Sequence, residues 1–226
     1  MNGEPRPAFY ALAGGGWRDY VTLLHPPYTL WHLSYVAIGA ALAPHIKWGL
    51  LGWTTLAFLL AMGIGAHALD ELNGRPLRTG IPAPVLVGLA AVSIAAACAI
   101  GLVAAAGSTW WLLLFVVFGA FIAVAYNLEL FDGAFHSNLW FAASWGSFPV
   151  LTAYFAAAER LRAEAFAAAA FALLVSLVQR TLSTEVRFAR RDAGNLTASR
   201  PAELALQLLS AALPALAGAL LLARTG

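Results

Sequence analysis

The densest group of side chains able to do chemistry in this chain is His67-Ala68-Leu69-Asp70-Glu71, followed at once by Asn73, Gly74, Arg75, Pro76, Leu77 and Arg78. On a helix, positions 67, 70 and 71 stand at i, i+3 and i+4 and project from one face, so one imidazole and two carboxylates converge. Apolar residues run up to them from Leu50 to Gly65. Ionisable groups that close to hydrocarbon cost several kcal/mol each, which makes them a candidate functional site. Carboxylates and imidazole suit a divalent metal or proton transfer, and Arg75 and Arg78 suit a phosphate. Two further polar groups fall at helix ends that would reach the same height. The first is Tyr126, Glu129 and His136, with Asp132-Gly133 as a turn between them. The second is Glu185, sharing a helical face with Thr181, Thr184 and Phe188 and followed by Arg187, Arg190, Arg191 and Asp192. His32 is a weaker candidate, and His45 beside Lys47 reads as structural.

The elements that must position these residues are membrane helices. Of 226 residues, 61% are hydrophobic and 11% charged, with a mean hydropathy of +0.76. Soluble domains carry about 25% charged residues, so the composition specifies a polytopic membrane protein. Apolar runs predict an all-α membrane helix bundle of about seven transmembrane helices in one domain, at roughly 28–46, 50–71, 83–106, 109–127, 138–157, 164–184 and 202–223. A segment over 1–27 precedes them, with no pattern of a removable signal peptide. Trp140, Trp145, Gly146 and Pro149 predict a kinked or locally open fifth span. Arg6, Arg18, Arg75, Arg78, Arg180, Arg187, Arg190, Arg191 and Arg200 gather on alternate connections, which predicts a cytoplasmic N-terminus and an external Gly226, in a bacterial or archaeal plasma membrane. A net charge of +2 without a dense basic block argues against nucleic acid as a partner. The lone Cys98 excludes an internal disulfide and a cysteine-built zinc site.

Asp70 followed by Arg75-Pro76-Leu77, with polar groups after the fourth and sixth spans, resembles the UbiA superfamily of intramembrane prenyltransferases. The similarity in layout runs from about Tyr28 to Leu222. It implies an isoprenyl diphosphate substrate or a related isoprenoid lipid, bound through magnesium in a cavity open to the cytoplasm, and transfer of the prenyl group to an acceptor. Asp70, Glu71 and Glu185 would hold the metal as catalytic residues, and Arg75, Arg78, Tyr126, Arg187 and Arg190 would bind substrate. The chain differs from the family pattern in having His67, Asp70 and Glu71 where an asparagine and two aspartates recur at intervals of four, and Ala189 four residues after Glu185. Leu130 stands where a lysine follows Tyr126. A second reading therefore stays open. His67, Asp70, Glu71, Glu129, His136 and Glu185 are the ligand inventory of a di-iron or di-manganese centre oxidising a lipid. A third is a lipid-binding membrane protein without catalysis, its charges paired with one another.

Overall fold

The computed structural model describes residues 7–191 and 199–225, apart from the side chain of Arg191. Arg6, Asp192, Asn195 and Gly226 lie outside the described residues. Eight helices account for the regular structure, and no strand occurs among the described residues. They are α1 (Trp17–Leu23), α2 (Pro26–Leu42), α3 (Trp48–Leu72), α4 (Ala83–Ala106), α5 (Leu112–Asn127), α6 (138–158), α7 (Ala163–Arg191) and α8 (Arg200–Leu222).

Four of them, α3, α4, α7 and α8, are long and apolar enough to cross a membrane, which fits an integral membrane protein. Helix α5 is apolar but shorter. Proline sets several boundaries. Pro26 and Pro27 occupy the first turn of α2, where a missing N–H goes unused, and Ala43 leaves the helix extended because Pro44 follows it. Helix α7 does not stop at residue 184. It runs on to Arg191, so that Arg190 is helical as well as Glu185 and Arg187. The short helix α1 has no counterpart among the expected spans.

Helix α2 is the axis of the bundle. Trp31, Tyr35 and Val36 are wholly buried, and with Ile38 they form a core with Val150 of α6, Ala169 and Ala172 of α7, and Leu213 and Ala217 of α8. Between α2 and α6 the backbones meet at Gly39, where an added Cβ would stand 2.3 Å from the Val150 carbonyl oxygen. Trp31 donates to the Tyr35 hydroxyl (2.8 Å), which also accepts from Ser176 of α7 (3.2 Å). These bonds satisfy polar atoms where no water is at hand.

Two helices carry π turns, at Leu59–Ala66 in α3 and Ala143–Ser147 in α6. Each π turn inserts a residue into the α register, lets a carbonyl escape its usual partner and re-aims the side chains beyond it. Met62 and Trp145 from these two turns pack in one cluster with Ala66, Ile122, Ala123 and Tyr126. The polar end of the bundle forms around them.

Candidate functional site

A cavity of about 400 Å³ opens at that end, walled by residues 7–10, the start of α2, the ends of α3 and α5, and the inward faces of α6 and α7. Four of the five histidines in the chain line it: His25, His32, His67 and His136. Three of them are oriented in the same way. Nδ1 of His67 faces the Gly63 carbonyl (3.1 Å), that of His32 the Trp145 carbonyl (2.9 Å), and that of His136 the Tyr126 carbonyl (3.0 Å). Two of these carbonyls belong to the π turns, and the third to the last turn of α5, where carbonyls lack helical partners. A carbonyl has no proton to give, so Nδ1 carries the hydrogen and Nε2 keeps its lone pair in the neutral ring.

His25 differs. Its Nδ1 lies 2.7 Å from the Tyr10 hydroxyl, its ring stacks on His67 at 4.1 Å and 17°, and its Nε2 is buried with no hydrogen-bond partner among the described residues. Burial, with the neighbouring His67, Arg187 and His32 adding to it, holds the His25 imidazole well below its ordinary pKa. Burial likewise pushes the Tyr10 phenol up. Both groups are therefore neutral.

Asp70 lines the cavity with no hydrogen-bond or ion-pair partner among the described residues. Opposite it, α7 presents two guanidinium groups. Arg180 touches Asn138 (3.3 Å) and the His136 Nε2 (3.4 Å) and lies over the Phe141 ring, and Arg187 donates to the Thr184 hydroxyl (3.3 Å). Neither has a carboxylate within ion-pair distance among the described residues. Tyr126 stacks on His136 at 4.5 Å, is only 4% exposed, and its hydroxyl is buried without a hydrogen-bond partner among the described residues. Glu129 stands at the rim, 3.9 Å from His136.

Of the residues expected from the sequence, the cavity thus gathers His67, Asp70, Tyr126, Glu129, His136 and Arg187. The others point elsewhere. Glu71 is fully buried, and its carboxylate accepts from Leu77 N (2.9 Å), Thr79 N (2.8 Å) and the Thr79 hydroxyl (2.9 Å), so it folds the loop after α3. Arg75 donates to the carbonyls of Thr79 (3.2 Å) and Ile81 (2.6 Å) in that same loop. Arg78 is exposed on it. Arg190 makes a two-pronged pair with Glu203 of α8, 2.8 Å to each oxygen. Glu185 is exposed together with Thr181, Thr184 and Phe188. Val186 packs into Ala202 and Leu206, which fixes the rotation of α7 and puts Arg180, Ser183 and Arg187 in the cavity wall, with Arg187 still exposed there.

Both metal readings required carboxylates from Glu71 and Glu185 beside Asp70. Among the described residues no group of three or more His, Cys, Asp or Glu side chains is placed to hold one ion. The donor set present does not fit either reading, and the chemistry assigned to the cavity rests on its side chains alone.

His25, Tyr10, Gln179 and Arg180 also line the cavity without having been expected there. For His25 the available signal was its place before Pro26-Pro27, which fixes a chain entry but not what the ring meets.

Next to the cavity lies a second pocket of about 100 Å³ between α3, α4, α5 and α6, lined by Phe58, Ile94, Phe115, Val116 and Phe148 among others. Met62 and Trp145 belong to the walls of both. Comparison with known proteins found no matching family model, no similar curated protein and no similar solved structure.

Proposed function

We propose that this protein is an intramembrane transferase of the UbiA kind, acting on an isoprenyl diphosphate or related isoprenoid lipid. One observation carries the reading: a polar cavity holding two guanidinium groups without carboxylate partners among the described residues shares the walls Met62 and Trp145 with an apolar pocket among the helices. That is the shape of an amphiphile with an anionic head. Arg180 and Arg187 take the place expected of Arg75, Arg78 and Arg190 as phosphate contacts. They would stabilise the charge that grows on the departing diphosphate as the bond from carbon to oxygen breaks. The electron-poor allylic carbon left behind would face Asp70 and the aromatic surfaces of Tyr126 and Trp145. In this reading α2, α5 and α6 complete seven spans beside the four longest helices. The cavity end, with Arg18, Arg78 and Arg187, faces the cytoplasm.

The test is binding of geranylgeranyl diphosphate to the purified protein in detergent. Arg180→Ala and Arg187→Ala should each weaken it by about tenfold or more, the worth of a charge-assisted bond, and Arg78→Ala should not change it. Equal affinity in all four proteins would refute the assignment.

A further inference from the structure

We propose that His67 is the proton acceptor of a second subsite in the cavity, one that takes a hydroxyl-bearing co-substrate and removes the hydroxyl proton. This role rests on the transfer reading, for which it supplies the acceptor class.

Elimination among the four cavity histidines leaves His67. Nε2 of His136 already faces Arg180 at 3.4 Å. His32 is only 4% exposed, and Nε2 of His25 is buried. His67 alone combines a lone pair fixed on Nε2 by the Gly63 carbonyl, partial exposure into the cavity, and no donor to Nε2 among the described residues. An acceptor atom so placed calls for an O–H or N–H from a ligand. The His25 ring covers one face of His67, so the ligand approaches along the ring edge where Nε2 lies. Asp70 stands one turn further along the same helix and lines the same cavity, a carboxylate without a hydrogen-bond or ion-pair partner among the described residues.

The step balances. The O–H bond breaks, its proton forms an N–H bond at Nε2, and the oxygen keeps the electron pair. That pair forms the new bond to the isoprenoid carbon while the old bond from carbon to the diphosphate breaks with its electrons leaving on the diphosphate.

Diethyl pyrocarbonate carbethoxylates unprotonated, reachable imidazole nitrogens, so the wild-type protein in detergent can be labelled and each histidine followed by peptide mass spectrometry. Two probes of matched shape compete, benzyl alcohol and benzyl methyl ether, of which only the first can donate a hydrogen bond. His67 is expected to label faster than His25 and His32, and the alcohol, not the ether, should slow it severalfold. An unreactive His67, or equal effects of alcohol and ether, overturns the proposal without reference to any isoprenoid. If geranylgeranyl diphosphate fails to bind while the alcohol still protects His67, the transfer reading falls and the hydroxyl subsite stands. In turnover, His67→Gln should slow transfer by roughly 10²-fold at unchanged diphosphate binding, and loss of that binding instead would count against a role in proton transfer.

Discussion

Asp70 and Glu71 are neighbours with the same charge and opposite surroundings. Glu71 satisfies three donors in the loop that follows α3, so Glu71→Ala leaves two backbone amides and a hydroxyl unpaired in a buried place. The loss should be about 3 kcal/mol, visible as a lowered unfolding midpoint in detergent. Asp70→Asn should leave that midpoint unchanged and slow turnover by roughly 10²-fold or more. If the two variants behave alike, the distinction between a folding carboxylate and a working one is wrong. The sequence marked this stretch as one whose charges need partners, because so many ionisable groups at the end of an apolar run require compensation. It did not show how they divide. Spacing puts both carboxylates on one side of a helix, but the donors that claim Glu71 are loop amides, and amides leave no trace in residue types.

Among the elements, α2 and α6 depend on close backbone approach. Gly39→Ala forces a Cβ into the Val150 carbonyl, and because the obstacle is backbone it has nowhere to move. This should cost about 1–3 kcal/mol, whereas Gly88→Ala on α4, where a Cβ meets open space, should cost nothing measurable. Thermal unfolding of the two variants decides it. The segment before α2 responds to pH instead. His25 is bonded to Tyr10 and held neutral by burial, with His67, Arg187 and His32 facing it. Its pKa is lower folded than unfolded, so its contribution to stability is complete above about pH 6.5 and is lost as the pH falls below that value. The protection of residues 7–25 against hydrogen exchange, taken relative to the intrinsic rate at each pH, should therefore fall on acidification from pH 7 to pH 5, and His25→Phe should abolish the change. Long apolar runs made α3, α4 and α8 legible within a few residues. The rotation of α7 was not, since alternating polar residues permit several inward faces and the choice was made by Val186 meeting α8.

At the level of the whole molecule, the two ends differ in chemistry. One holds the cavity. The other holds the Lys47–Glu159 contact (3.4 Å) and Arg224, which donates to the carbonyls of Ala43 and Pro44. Lys47 is the single lysine of the chain and its side chain is 48% exposed. In the proposed orientation, a membrane-impermeant amine reagent applied to intact cells should modify Lys47, read by peptide mapping. Modification only after permeabilisation would place the cavity on the outer face. Composition made the helical bundle and its membrane setting legible. The cavity was less so, because several separate chain segments build it and no local pattern shows which ends meet.

The two π turns give the site a sensitivity of another kind. An α-helix advances each residue by about 100°, so one extra residue acts as a phase shift for everything downstream. His67 and Asp70 face the cavity only in the phase that Leu59–Ala66 imposes, and the same insertion supplies the carbonyl that fixes the His67 tautomer. Aim and protonation are thus written by a single inserted position. A change of length there would silence both at once, while every side chain of the site remained in the sequence.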